Sequence, residues 1–421
     1  MILHSRNFSI TNVTAVLPDR LLPDATIVVE DGLVASISTG SRRPIGALDG
    51  RGAFLAPGAI DTHSDGLEKE LRPRPGVLVP MDFAVHSFEG RVRGAGVTTI
   101  FHGIGFENGA KYDRSVEQAT TMCTTLSQRA VSGDAPIDHR ILYRLDVRDA
   151  DGFAALCETV DATIRATADA TTNTTALPPL VSYEDHTPGQ GQYADRRWME
   201  RYIAGTRKME ADQAKDYIDQ VIADREEQRI HRDAAMPWLG KRGRADEIRL
   251  MCHDPAGVDD IEEAVAVGAS IAEFPTTVEA ATAARERGLH IVCGAPNALR
   301  GESHSGNVSA RELIGLGLCD SLASDYLPST LLGAVGRLVA DRACTLPDAI
   351  RLVTSGAAST VGLDDRGRLE PGQRADLVLF DLHGALPTVR LAVSQAFSPT
   401  GDDAPTAASE LRFRAELVES T

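Results

Sequence analysis

Short apolar runs alternate with helical periods along most of this chain. The runs GAIDTHSD, GVTTIFHGI, HRILYRLDV, PLVSYEDH, IRLMCHD, SIAEFP, HIVCGAPN and SLASDY have the length and texture of buried strands. Between them, stretches such as SVEQATTMCTTLSQRAV, VDDIEEAVAVGA, TVEAATAARERG and SARELIGLGL carry helical patterning. Eight strands alternating with helices over residues 56–364 predict an α/β fold with a parallel sheet. That sheet is either closed as a (β/α)8 TIM-type barrel or open and doubly wound. Ligand-type residues recur at the C-terminal ends of many of these strands. A barrel gathers all its strand ends on one face, whereas an open sheet gathers only those at its switch point, so the pattern favours the barrel.

The two ends differ in texture. Residues 1–55 hold the β-rich runs TNVTAVL, TIVVEDGLVASIS and GAFLAPG, with a turn signal at Asp31-Gly32. Residues 365–421 hold GRLEPGQRADLVLFDL, a buried-strand run that most simply pairs with the N-terminal strands, giving a small β-sandwich domain built from both chain ends. SPTGDDAPTAASE is turn-rich and reads as a mobile loop. A charged stretch from Ala194 to Glu247 interrupts the barrel pattern. Within it Ala214, Tyr217, Ile218, Val221 and Ile222 follow helical spacing, so an amphipathic helix is expected, lying either over the active-site face or along the barrel side.

Composition narrows the function. The net charge of −17 is a poor match for nucleic acid or an anionic membrane surface, both of which need a basic footprint. No apolar run approaches the ~18 residues of a membrane span, and MILHSRNFSI lacks the features of a signal peptide. The six cysteines are scattered without a CxxC pair and read as reduced thiols of a cytoplasmic protein. Oligomeric state is left open, a homo-oligomer included.

The chemistry is concentrated at strand ends. His63 and Asp65 in GAIDTHSD are two residues apart and so project to one side of a strand. Asp146, His186, His253 and Asp325 each close a further apolar run. Any one of these is more often a satisfied polar residue than a ligand. Six at strand ends of one barrel are hard to ascribe to packing. Imidazole and carboxylate donors suit a divalent metal, with Zn²⁺ the best fit and Mn²⁺ or Fe²⁺ as alternatives. Six ligands exceed one tetrahedral ion, and two ions sharing a carboxylate fit them better. His86, His102 and His139 are weaker candidates.

This succession of a small β unit, HxD, two strand-ending histidines, a strand-ending aspartate and a closing ADLVLFDL resembles the amidohydrolase superfamily. HSDGLEKELRPRP, LVSYEDHTPGQGQY, GAPNALRGESHSGN and LASDYLPSTLL narrow the resemblance to its phosphonate-degrading diphosphatases. The resemblance implies a barrel with a one- or two-ion metal site. It implies cleavage of a ribose 1-methylphosphonate 5-triphosphate to the 5-phosphate and pyrophosphate. By it, His63, Asp65, His186, His253 and Asp325 are metal ligands, Asp325 is also general base, and Asp146 bridges two ions. Two departures stand out: the family more often has Glu at position 146, and usually Asn where Gly66 stands. A sugar-triphosphate substrate needs cationic and neutral donors. Lys69, Arg74, Arg300, Ser303, His304, Ser305 and Asn307 are the candidates, with Gly301, Gly306 and the helix start after Asn307 offering backbone N–H groups. The competing expectations are an amidohydrolase that splits an amide or a lactone or deaminates a base, and a catalytically dead scaffold.

Overall fold

A computed structural model describes residues 6–40, 44–109, 114–169, 177–193, 196–303 and 305–396. His304 and the SPTGDDAPTAASE stretch lie outside the described residues. The chain opens with β1 (Phe8–Val16), β2 (Leu21–Glu30), β3 (Leu33–Thr39), β4 (Leu48–Asp49) and β5 (Phe54–Pro57). Asp31 and Gly32 both have positive φ, as the tight hairpin joining β2 to β3 requires. Eight strands follow: β6 (Ala59–Ser64), β7 (Val97–Phe106), β8 (Asp138–Asp146), β9 (Leu180–Glu184), β10 (Arg249–His253), β11 (Ile271–Glu273), β12 (His290–Gly294) and β13 (Ser321–Ala323). They pair in sequence order, all parallel, with helices between them. Finally β14 (Leu377–His383) pairs antiparallel with β5, and β15 (Leu386–Val393) pairs with β14. Both ends therefore build one seven-stranded sheet, with its own core around Ile10, Ile27, Leu55 and Leu377.

The eight parallel strands close into a barrel at two backbone hydrogen bonds. The Asp325 N–H donates to the His63 carbonyl at 2.9 Å, and the Asp65 N–H donates to the Asp325 carbonyl at 2.5 Å. The interior is filled by one apolar side chain from each strand: Ile60, Phe101, Leu142, Leu180, Met251, Ile271, Val292 and Ala323. Strand periodicity then dictates what comes next. Two residues further along the same faces stand Gly103, Arg144, Ser182, His253 and Glu273, and two further still Asp146 and Glu184. The core of the barrel thus becomes polar toward its C-terminal mouth.

The stretch between β9 and β10 forms three helices, Arg196–Arg207, Ala211–Glu227 and Arg229–Arg244. The expected amphipathic face is there: Ala214 and Ile218 are buried with Tyr193, Met199 and Ile203, and Tyr217 and Ile222 pack against them. This small core is separate from the barrel's, and the insertion reaches the mouth through Arg225, which binds Asp146 and Asp185.

Candidate active site

His63, Asp65 and Asp325 come together because the same backbone pair that closes the barrel joins their strand ends. A second group, Glu184, His186 and His253, lies on the adjoining strand ends β9 and β10. Glu273 links the two. Its carboxylate accepts from or pairs with His63 Nδ1 and His253 Nδ1, both at 2.7 Å, and takes a third bond from Ser182 Oγ at 2.9 Å. Bound on Nδ1, the imidazoles present Nε2 to the carboxylates of the site, His63 to Asp65 Oδ1 at 3.2 Å and His253 to Asp254 Oδ2 at 3.4 Å, as a metal-ligating histidine oriented by an outer carboxylate does.

Arg144 stands between the groups. One guanidinium nitrogen binds Asp65 Oδ2 at 2.7 Å and another binds Glu184 Oε2 at 2.6 Å. Arg114 meets Glu68, Glu107 and, at 3.8 Å, Asp65. These charges set the protonation states. Burial would raise the Asp65 pKa, but Arg144 and then His63 hold it well below the usual range. Burial also opposes ionisation of Glu184, which Arg144 and His186 keep ionised. Asp325 is raised by burial, reinforced by the nearby Asp65. Burial would keep His63 neutral, yet Glu273 and Asp65 push its pKa well up.

The donors fit a divalent cation. They are imidazole nitrogens and carboxylate oxygens without thiolates, in three-residue groups whose ligand atoms lie within 4.8 Å of one another. Beside them a buried carboxylate oxygen, Asp254 Oδ2, has no hydrogen-bond partner. His63, Asp65, Glu184, His186, His253 and Asp325 are therefore the residues that would hold ions.

Asp146 does not join them. It faces inward as expected but sits at the rim, where Arg225 binds both its oxygens at 2.8 and 2.9 Å and the Arg148 N–H binds Oδ1 at 2.9 Å. The expected bridging residue Asp146 is thus paired with arginine, and the carboxylate beside His186 and His253 is Glu184, 3.9 Å from each. The parity rule that singled out His63 and Asp65 points equally to Glu184, two residues before His186. Glu273, closing SIAEFP, and Arg144, two residues before Asp146, carry the same signal.

A cavity of about 340 Å³ opens over the ligands. Lys69, Arg300, Ser303, Ser305 and Asn307 all line it. The Lys69 ammonium lies 4.4 Å over the Tyr326 ring. Ser305 Oγ accepts from Asn307 Nδ2 at 2.9 Å and pairs with Ser303 Oγ at 3.1 Å. Arg74 stands apart from these. It is exposed in the turn Arg74–Val77 and does not line the cavity. The helix after Asn307 is only Ala310–Gly315, and its Arg311 N–H is already capped by Ser309 Oγ at 3.2 Å. At Gly66 a Cβ would lie 2.7 Å from Phe88, so the larger residue usual there has no room. His102 and His139 pair at 2.9 Å, and His139 pairs with Glu89 at 2.9 Å; with Phe88 beside His102, they form a buried network between barrel wall and helices, away from the cavity.

A closed parallel barrel with histidine and carboxylate groups at its mouth and a small sheet made from both chain ends is the amidohydrolase architecture. The chain belongs to the amidohydrolase superfamily. It is 34% identical over 382 residues to the alpha-D-ribose 1-methylphosphonate 5-triphosphate diphosphatase of Escherichia coli (strain K12), covering 88% of this chain and 94% of that relative. The Amidohydrolase family model matches residues 329–396. Among solved structures, N-acetyl-D-glucosamine-6-phosphate deacetylase from Mycobacterium smegmatis superposes with a TM-score of 0.59 at 15% identity, covering 94% of this chain and 99% of that one. Guanine deaminase from C. acetobutylicum superposes with a TM-score of 0.55 at 14% identity, covering 89% and 90%. At such identities these neighbours speak for the fold alone.

Proposed function

We propose that this chain hydrolyses alpha-D-ribose 1-methylphosphonate 5-triphosphate to the 5-phosphate and pyrophosphate. The observation that carries the reading is one cavity lined both by Asp65, His186, His253 and Asp325 and by Lys69, Arg300, Ser303, Ser305 and Asn307. An amide substrate needs few such donors; a triphosphate chain needs many. The 34% identical relative bears the same activity in its name.

A divalent cation bound by the histidine and carboxylate groups would supply Lewis acidity and a water of lowered pKa. Every other part of the reaction falls to side chains. Asp325, raised in pKa by burial, accepts the proton of the attacking water. The water oxygen forms its bond to the α-phosphorus, and the bond from that phosphorus to the bridging oxygen breaks. Lys69 and Arg300 neutralise the β- and γ-phosphates and so stabilise the departing pyrophosphate. Ser303, Ser305 and Asn307 orient the chain by neutral hydrogen bonds.

The test is pyrophosphate release from a ribose 5-triphosphate compound with Zn²⁺ or Mn²⁺ restored, comparing wild type with Asp325→Asn. Metal-dependent release, reduced roughly 10²–10⁴-fold by the substitution, is expected. Orthophosphate alone would move cleavage to the terminal phosphate. No phosphate product with metal bound would overturn the reading in favour of carbon-centred substrates.

A further inference from the structure

Asp254, next after His253, is assigned no role in the proposed reaction. Its backbone is left-handed, φ 52°, and is pinned by a bond from its N–H to the Glu273 carbonyl at 2.8 Å. That turn folds the carboxylate back over the end of β10. The side chain is 9% exposed, with Oδ2 3.4 Å from His253 Nε2 and 3.9 Å from His186 Nε2. Among the described residues no Lys or Arg pairs with it, and Oδ2 has no hydrogen-bond partner. A carboxylate taken out of water without a partner is costly, and left-handed backbone at a non-glycine residue adds to the cost.

Charge makes the same point. Of the Glu184 carboxylate, Oε2 is committed to Arg144. An ion at the Glu184, His186 and His253 group would therefore meet two neutral imidazoles and a carboxylate already neutralised. Donor atoms around a tetrahedral ion with bonds near 2.0 Å stand roughly 3.3 Å apart. The spacings of Asp254 Oδ2 to the two imidazoles approach this. We propose that Asp254 is a further ligand of that ion, supplying the negative charge that Arg144 withdraws from Glu184.

This rests on the metal-hydrolase reading, and the experiment separates the two. Wild type, Asp254→Asn and Asp254→Cys are stripped of metal, checked for folding by thermal melting, and titrated with Zn²⁺ by calorimetry and with Co²⁺ by absorption. The expected result is that Asp254→Asn weakens one Zn²⁺ equivalent by more than the 10–100-fold that loss of an outer-shell partner gives, with an altered Co²⁺ visible spectrum. Asp254→Cys is expected to add a thiolate-to-Co²⁺ charge-transfer band over the wild-type background, which a nearby structural residue would not produce. Unchanged Zn²⁺ affinity and Co²⁺ spectrum in Asp254→Asn, with no new band in Asp254→Cys, would overturn the proposal while leaving the hydrolase reading intact. Wild type that binds no metal would sink both.

Discussion

Glu273 touches two of the histidines yet is too deeply placed to meet a substrate, being fully buried at the end of a three-residue strand. It fixes which nitrogen of His63 and of His253 faces the cavity, so its loss should act through both. Glu273→Gln keeps the shape but removes the charge that holds the two imidazoles. The expected outcome is a 10–100-fold loss of metal affinity, read by metal content after dialysis against a weak chelator; wild-type retention would contradict this positioning role. Gly103 makes a sharper case because the change is one methyl group. A Cβ there would fall 2.4 Å from Asp65 Oδ1, 3.1 Å from Arg144 Cδ and 3.3 Å from His63 Nε2. Asp65 is held by Arg144 and has little freedom to withdraw. Gly103→Ala should therefore displace a ligand and cost on the order of 10²-fold in kcat/KM, with the fold intact by circular dichroism. Activity within a factor of two of wild type would show that the site yields more easily than this packing implies.

At the scale of elements, the insertion between β9 and β10 depends on few contacts with the mouth. Arg225 is central to them, with bonds to Asp146, Asp185 and Thr187, and Arg148 reaches back from the barrel to the Arg225 carbonyl at 2.5 Å. Burial raises the Asp146 pKa to about 6, with Arg225 opposing the rise, so removing Arg225 leaves a carboxyl that protonates more readily. Arg225→Ala should free the Ala211–Glu227 helix locally, and hydrogen exchange there should quicken while the barrel strands stay protected. Uniform exchange across both would mean the insertion is held by its own apolar core. The same region shows what the sequence makes legible. The eight strands, the hairpin at Asp31-Gly32 and the helical face of Ala214 and Ile218 follow from period and turn chemistry, which are local. That His63, Asp65, His186, His253 and Asp325 gather at the barrel mouth follows from strand-end parity. The partner of Asp146 does not: it comes from a helix 79 residues later, and no local pattern distinguishes a rim carboxylate paired with arginine from one facing an ion. Nor does a motif match carry information on which way a proline-flanked turn faces, as at Arg74.

Across the whole molecule, strand β8 ties three units together. Its C-terminal end holds the insertion through Asp146, and its N-terminal end holds the small sheet's C-terminal segment through Asp138. Asp138 Oδ2 accepts from Arg366 at 2.5 Å and lies 3.4 Å from Arg374; Arg366 also binds Thr99 at 3.0 Å. Arg366 is 3% exposed and Asp138 15%, so this is an interior charge cluster. Burial would raise the Asp138 pKa, but Arg140, Arg366 and Arg374 together hold it well below the usual carboxylate range. A carboxyl depressed in the folded state stabilises fully above its unfolded value, ~3.9, and loses that contribution as pH falls through the folded value. Asp138→Asn takes one carboxylate from three arginines, of which Arg366 keeps Asp365 and Arg374 keeps Asp376, and should lower stability at neutral pH by about 1–3 kcal/mol. The deficit should hold from pH 7 down to about 4 and then shrink, because below that point the wild-type carboxyl gives up its advantage too. Urea unfolding of both proteins at a series of pH values measures it. A deficit that stays constant into strong acid would assign the loss to packing and remove Asp138 as the electrostatic tie between barrel and sheet.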